Sequence, residues 1–266
     1  MERILLIAVD IGNSRLKCGV FNPEGWQEKS PVASRVVSVS LSDLDRREFA
    51  DELGAVIPEK TRTVWWIASV NRPATTKLLE LIRRKRSDDE IVLVASSDLP
   101  LKVAVPHPDR VGIDRLAAAV GANMLRDSAK PAVVVGVGTA VTVNAISRDG
   151  VFLGGAIACG AAMSARAMHQ FTDLLPLIPT EWETPPDPIG VDTPSAMAAG
   201  IFWGLVGTVR ELVKRQAVLL GGDPEIFVTG GGGRLLADEL GEGARFIDTL
   251  TLMGIAVAAR VTLEGL

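Results

Sequence analysis

The chain has few of the cysteines and histidines that build disulfide frameworks and many metal sites, and it has no excess of positive charge. Its 266 residues include two cysteines, two histidines and no tyrosine. Cys18 and Cys159 are too far apart for the spacing of a zinc site or a disulfide framework. His107 and His169 have no carboxylate-rich spacing around them, so a histidine-held metal is not expected. The formal net charge is -4, which argues against a basic face for nucleic acid.

Long apolar runs are also lacking. No run has the length of a membrane span, and the apolar stretch Ile4–Val9 is too short for a signal peptide and leads directly into Asp10. Unpaired cysteines are typical of a reducing compartment, so we expect a cytoplasmic protein. From the short apolar runs and the net charge, we expect contact with neither a membrane nor nucleic acid. The composition, 47% hydrophobic and 23% charged, predicts a globular chain long enough for two compact lobes.

The most informative feature is a segment near the start that returns in the middle of the chain. The first hairpin, Ile4–Phe21, and the second hairpin, Ala132–Ile146, each read as an apolar strand, a tight glycine turn and a second strand. Glycine turns with short hydroxyl or amide side chains can offer backbone N–H groups to phosphates. Two such hairpins predict a nucleotide cleft between two similar lobes.

The remaining periodicity predicts the same order of elements in both halves. Predicted strands are 4–9, 15–21, 36–39, 63–68, 91–95, 132–137, 139–146, 151–157, 226–229 and one near 246. Predicted helices are 42–54, one opening at Thr75 or Thr76, 113–124, 161–171, 193–219, 234–240 and 252–263. This repetition predicts an α/β fold of two duplicated lobes, 1–117 and 118–266. We expect Thr193 to be the N-cap of the long helix and Arg83–Arg86 to be a solvated helix end.

A proline-rich loop, 175–188, holds five of the 15 prolines and is a candidate lid or interface loop.

Two aspartates are candidates for chemistry. Asp10 directly follows a buried strand, where an unpaired charge is costly, so a hydrated Mg²⁺ is a natural partner. The alternative for Asp10 and the residues after it is a plain hairpin turn. Lys17 could reach a phosphate, or it could be an exposed lysine of the strand. Asp114 and Arg115 open a helix after Gly112. Asp114 is either a residue favoured by the helix dipole or the acceptor of a proton from an attacking alcohol, with Arg115 holding an anionic substrate.

Glycine-rich turns leave two alternatives open. Gly230–Gly233, between a strand and a helix, could bind a phosphate or form a tight connection. No Walker-type phosphate loop occurs, and Val141 stands where a dinucleotide fingerprint needs its third glycine.

Taken together, these motifs make the chain resemble a type III pantothenate kinase, in the superfamily of acetate and sugar kinases, Hsp70 and actin. The resemblance covers nearly the whole chain. It is carried in order by AVDIGNSRLKCGVF, IASVNRP, PDRVGIDRLAAA, GVGTAVTVNAI, GGAIACGAAMSARAM, IGVDTPSAMAAGIFWG and FVTGGGGRLLADEL.

The resemblance implies two ribonuclease-H-like lobes with ATP between them, a homodimer, and ATP-dependent phosphorylation of pantothenate to 4′-phosphopantothenate in coenzyme A synthesis. Asp114 would accept the proton, and Asp10 would lie near Mg²⁺ through water. Residues implied to contact ATP are Asp10, Ile11, Gly12, Asn13, Ser14, Arg15, Leu16, Lys17, Gly138, Thr139, Gly230 and Gly231. Residues implied to contact pantothenate are Val105, Gly112, Ile113, Asp114, Arg115 and, across the dimer, Thr193.

Two departures from the family pattern stand out. The second loop of the family begins with an Asp that helps hold a monovalent cation, K⁺ or NH₄⁺, whereas this chain has Gly136. We therefore expect activity that is independent of K⁺ or only weakly dependent on it. The family tends to have a Tyr at the position of Val105. The alternative function is that of a non-catalytic relative which binds nucleotide or pantothenate and regulates another process.

Overall fold

The computed structural model describes residues 4–22, 31–44, 51, 54, 57 and 61–264. The chain forms two compact units, one of Met1–Leu125 with Thr249–Leu266 and one of Arg126–Asp248. These units differ from the predicted lobes in two places. The first unit ends at residue 125 instead of 117, and the C-terminal helix belongs to the first unit instead of the second.

The described elements follow the predicted order. The strands are β1 (Ile4–Ile11), β2 (Arg15–Phe21), β3 (Arg35–Ser40), β4 (Arg62–Ser69), β5 (Glu90–Leu93), β6 (Ala132–Val137), β7 (Ala140–Ile146), β8 (Phe152–Cys159), β9 (Glu225–Thr229) and β10 (Ala244–Phe246). The helices are α1 (Arg72–Lys85), α2 (Ile113–Leu125), α3 (Ala161–Gln170), α4 (Thr193–Leu220), α5 (Gly233–Leu240) and α6 (Leu250–Glu264). Most of the helix predicted for 42–54 lies outside the described residues.

The first unit contains a mixed sheet in the order β3-β2-β1-β4-β5. β1 pairs antiparallel with β2 and parallel with β4, so it lies at the centre of the sheet. The apolar runs of β1 and β4 are buried on both faces, as central parallel strands require. One face packs against α1, through Ala74, Leu78 and Ile82.

The other face of this sheet packs against α2 and α6, which also pack against each other. At their crossing, a Cβ on Gly121 would overlap the carbonyl oxygen of Leu250, and a Cβ on Gly254 would overlap that of Ala117. The two backbones are therefore in direct contact. This contact explains why the C-terminal helix belongs to the first unit, which periodicity alone could not reveal.

The second unit repeats the topology of the first. Its sheet has the order β10-β9-β6-β7-β8, with β6 antiparallel to β7 and parallel to β9. Read from β8 to β10, this matches the first sheet read from β3 to β5. Helices α4 and α5 pack on one face through Phe202, Val206, Val209 and Leu236. The predicted α/β fold with duplicated topology is confirmed.

Helix α4 is the one described helix that is long and apolar enough to cross a membrane, judged by length and composition alone. Its buried residues Phe202, Val206, Val209 and Val213 nevertheless belong to the core of the second unit. The Gln216 side chain near its end donates to the carbonyl oxygen of Val143 on β7 (2.9 Å). A core helix of a globular unit accounts for these contacts.

Three local predictions were wrong. Helix α1 begins at Arg72, earlier than Thr75, because the Asn71 side chain caps the Ala74 amide (3.1 Å). The predicted solvated end of α1 is confirmed for Arg83, Arg84 and Lys85, which are exposed, but not for Arg86. The Arg86 guanidinium pairs with Asp89 and donates to Thr61 and Thr63.

The N-cap of α4 is Asp192, whose carboxylate accepts from the Ser195 amide (2.8 Å), so Thr193 is the first helical residue. A carboxylate at the N-cap accepts an amide hydrogen and also interacts favourably with the helix dipole, which explains the shift by one residue.

Candidate functional site

Asp10 lies near the carboxyl end of β1, on the sheet face that carries α2 and α6. Alternation along the strand places Ile7, Val9 and Ile11 in the core beneath α1, so Asp10 faces the other way. Its partners in the neighbouring strands are Lys17 on β2 and Ala68 on β4. Directly opposed residues of a ladder share a face, so the sheet holds a carboxylate beside an ammonium group.

The environment of Asp10 is unfavourable for an isolated carboxylate. The pKa of Asp10 is raised from 3.8 to about 7, mainly by burial and also by the charge of Asp114, while the charge of Lys17 acts in the opposite direction. Its Oδ1 atom is buried and has no hydrogen-bond partner among the described residues. A buried carboxylate oxygen without a donor is what a hydrated Mg²⁺ would satisfy, so this residue fits the metal that the resemblance implies.

Asp114 lies in the first turn of α2 and interacts electrostatically with Asp10. Burial raises the pKa of the Asp114 carboxyl, while hydrogen bonds from the Arg115 and Asp114 amides and the Arg115 charge lower it. Its Oδ1 lies 2.5 Å from where a Cβ on Gly112 would be. Glycine at 112 therefore leaves the space that the Asp114 carboxylate occupies. The neighbouring Val70 side chain lies 3.7 Å from the same point.

The turn of the first hairpin is exposed and tightly bonded. The Gly12 amide donates to the Arg15 carbonyl (3.0 Å), and the Leu41 amide donates to the Ser14 carbonyl (3.0 Å). The residues from Asn13 to Arg15 are exposed. Ile11 and Leu16, which the resemblance assigned to the ATP site, have their side chains fully buried in the core. Only their backbones could face a ligand.

The turn of the second hairpin lies beside the glycine run in the second unit. The Gly138 amide donates to the Ala140 carbonyl (3.1 Å), and the Thr139 carbonyl accepts from the Gly160 amide (3.1 Å). Gly230 has φ +98°, and a Cβ there would overlap the backbone of Val137. The strand-to-helix connection is therefore tight at Gly230, whereas Gly231 has open space around it. The structure brings these two turns together at one edge of the sheet.

Gly136 occupies in the second sheet the position of Asp10 in the first. Each is the next-to-last residue of the central strand, and Gly136 pairs with Thr142 on β7 and Thr229 on β9. A Cβ on Gly136 would lie 2.8 Å from Thr142 Oγ1. Sequence reasoning noticed the missing carboxylate but not these hydroxyls, which become neighbours of Gly136 only when β7 and β9 pair with β6.

The other predicted substrate residues are less closely grouped. Val105 is half-buried in the segment before α2, with Ile113 and Arg115 on the first turn of that helix. Burial lowers the pKa of Arg115, and the charge of Asp114 raises it. Thr193 is exposed and belongs to the second unit. Its proximity to the pantothenate residues of the first unit stays a prediction.

Solved structures resemble this chain over nearly their full length. A Campylobacter jejuni protein provisionally described as a Baf family transcriptional activator matches with a TM-score of 0.60 and 18% identity, covering 97% of this chain and 99% of that one. The activator of 2-hydroxyisocaproyl-CoA dehydratase from Clostridium difficile, solved with ADPNP, matches with a TM-score of 0.51 and 13% identity, covering 98% and 97%. At these identities the likeness concerns the fold alone.

Sequence relatives are closer. A type III pantothenate kinase of Dehalococcoides mccartyi is 35% identical over 95% of this chain and 96% of its own length. One from Moorella thermoacetica is 30% identical over 95% and 98%. The model of the type III pantothenate kinase family matches residues 6–215. Because that match covers most of the chain and the relatives align almost end to end, the chain belongs to the type III pantothenate kinase family.

Proposed function

We propose that this chain transfers the γ-phosphoryl group of ATP to the primary hydroxyl of pantothenate and forms 4′-phosphopantothenate, the first step of coenzyme A synthesis. Family membership supports the reaction. The observation that carries the proposal to particular residues is the convergence of Asp10 and Asp114 on one face of the first sheet. Paired titratable groups in different environments are typical of sites in which the two groups have different catalytic roles.

Asp114 is the proposed proton acceptor. Its carboxylate takes the proton of the attacking hydroxyl, and Arg115 beside it supplies a positive charge for an anionic substrate. A weak base is sufficient, because phosphoryl transfer depends mainly on positioning and on neutralising the phosphate charge. Gly112 and Ile113 complete the same turn, and Val105 precedes it, so these residues form the proposed pantothenate contacts together with Thr193.

ATP and a divalent metal are the co-reactants that a kinase of this family uses. Asp10 would hold Mg²⁺ through water, and the bound ion would neutralise phosphate charge. Lys17, opposite Asp10, and the first-hairpin turn of residues 11–16 are the proposed phosphate contacts in the first unit. In the second unit the proposed contacts are uncharged residues, at Gly138, Thr139, Gly230 and Gly231. Because Gly136 brings no carboxylate, we expect activity that is independent of K⁺ and NH₄⁺ or only weakly dependent on them.

A homodimer is proposed, and one surface of the second unit supports it. The proline-rich loop is fixed to the unit at three points: Ile178 is buried, Trp182 packs edge-on against Phe202, and the Pro186 carbonyl accepts from Trp203 Nε1 (2.9 Å). A loop held in this way is unsuited to act as a lid.

Large apolar side chains on and around this loop are exposed, namely Phe171, Leu174, Leu177, Ile189 and Val191. A second copy of the chain would cover them, and Thr193, two residues after Val191, would then lie at the dimer contact. Replacement of Leu174 by Glu should convert the dimer to a monomer in analytical ultracentrifugation, and a monomeric wild type would contradict the proposal. Both cysteines are free, which agrees with the cytoplasmic location that we propose.

The reaction is tested by incubating the purified protein with ATP, Mg²⁺ and pantothenate and measuring ADP release. We expect turnover that Asp114→Asn lowers by about 10²-fold or more, while the affinity for a nucleotide analogue changes little. Asp88→Asn, an exposed aspartate of the same unit, is the matched control. Full activity of Asp114→Asn would exclude Asp114 as the base.

The same assay separates the kinase from the non-catalytic alternative. A regulator would bind nucleotide or pantothenate without releasing ADP on any hydroxyl substrate. The close sequence relatives are described as kinases and give that alternative no support.

A further inference from the structure

Gly136 shares its sheet face with three neutral, hydrogen-bonded side chains, which we call the neutral cluster and define as Thr142, Asn144 and Thr229. Strand pairing places all three on the sheet face to which Gly136 belongs. Asn144 is fully buried, and its Nδ2 donates to Thr142 Oγ1 (3.2 Å) and to the Val134 carbonyl (3.4 Å). Thr229 is buried and donates to the Asp248 carbonyl (3.4 Å).

The orientation of the Asn144 amide is fixed by its neighbours. A carbonyl oxygen can only accept, so the NH₂ group must face Val134, and Thr142 receives the same group. The Asn144 Oδ1 atom lies over β8, 2.9 Å from where a Cβ on Gly155 would be. The side chain thus spans β6, β7 and β8 at the base of the second hairpin.

This arrangement does not fit the monovalent cation that the resemblance implies. K⁺ is bound by several oxygen atoms, and a carboxylate among them strongly favours its binding. Here the carboxylate position is Gly136, and the nearest hydroxyl, Thr142 Oγ1, faces the positive end of an amide dipole. A cation at that hydroxyl would be repelled by the Asn144 NH₂ group.

We infer that Asn144, acting through Thr142, is a positioning residue that holds the second hairpin with neutral hydrogen bonds, so that this hairpin binds nucleotide without a monovalent cation. The bonds are made three to six residues from Gly138 and Thr139, the proposed nucleotide contacts, and they link the strands from which that turn projects. The nucleotide part of this inference rests on the proposed function. The structural part does not.

The first measurement is hydrogen exchange of residues 136–141, followed by mass spectrometry, in the full chain without nucleotide. Thr142→Val keeps the shape of the side chain but removes the hydroxyl that accepts from Asn144, and Asn144→Leu removes the bonds to both Thr142 and Val134. We expect exchange in this segment to rise about fivefold or more in both variants and to return toward wild type in Thr142→Ser. The control is Thr76→Val, since Thr76 is exposed on α1 and bonds only within its own helix among the contacts described.

The second measurement is the Kd for ADP in potassium, sodium and choline chloride at equal ionic strength. We expect the wild type to give the same Kd in all three salts, and Thr142→Val to weaken binding about fivefold with recovery in Thr142→Ser. In turnover, the KM for ATP should rise while kcat stays close to wild type, because the chemical groups are untouched.

Unchanged exchange in both variants, or a wild-type Kd that tightens in potassium, would overturn the inference. If Asn144→Leu does not fold, Thr142→Val decides, because it is close to isosteric. If the wild type does not phosphorylate pantothenate but the variants show the expected hydrogen exchange, the proposed function is contradicted. The role of Asn144 in holding the hairpin is then still supported.

Discussion

Replacement of Asp10 by Asn should stabilise the protein in the absence of metal, and by more as the pH rises. Burial raises the pKa of this carboxyl from 3.8 to about 7. When folding raises the pKa of a carboxyl, the contribution of that group to the free energy of unfolding is fully present below the pKa of the unfolded state. This contribution is lost as the pH rises through the pKa of the folded state. Each pKa unit corresponds to about 1.4 kcal/mol, so the ionised carboxylate costs about 4 kcal/mol well above neutral pH. Between about pH 5.5 and pH 8 the change is about 2 kcal/mol.

The assay is urea unfolding with a chelator present, which gives the free energy of unfolding at each of the two pH values. The stability gain of Asp10→Asn over wild type should be about 2 kcal/mol larger at the higher pH. The matched control, Asp88→Asn, should show no such difference. Added Mg²⁺ should then stabilise the wild type but not Asp10→Asn, because a ligand that binds only the folded state shifts the equilibrium. An equal gain at both pH values, or a less stable Asn variant at the higher pH, would refute the reasoning.

Two further predictions concern packing in the first unit. Gly121→Ala should lower the free energy of unfolding by about 2 kcal/mol or more, because its Cβ would overlap the carbonyl of Leu250; thermal unfolding that matches wild type would contradict the close approach of α2 and α6. Asp89→Ala should lower the free energy of unfolding in urea by about 3 kcal/mol, because it removes the acceptor shared by the half-buried Arg86 and the Nε1 of Trp65. A loss below about 1 kcal/mol would show that this pairing is weak.

The sequence was sufficient for those features that depend on local patterns. Buried apolar runs predicted β1, β4 and β6, and glycine turns predicted both hairpins, because period and turn chemistry act over a few residues. Asp10 was identified because a charge after a buried strand needs a partner. The duplicated order of elements was visible for the same reason, since each unit repeats the same local signals.

Features that depend on long-range contacts were not predictable. Arg86 follows three basic residues and reads as part of a solvated helix end, yet its partners Asp89 and Thr61 come from the surrounding loops. The assignment of α6 to the first unit depends on Gly121 and Gly254 meeting across more than 100 residues of chain. The neutral cluster was missed because its members become neighbours only when β6, β7 and β9 are paired.

The central claim is that Asp114 accepts the proton of the hydroxyl that is phosphorylated. A crystal structure of the full chain with a non-hydrolysable ATP analogue, Mg²⁺ and pantothenate tests it most directly. We expect the primary hydroxyl to lie within about 2.6–3.2 Å of the Asp114 carboxylate and in line with the γ-phosphate. A hydroxyl held against a different base, with Asp114 turned away from it, would contradict the account.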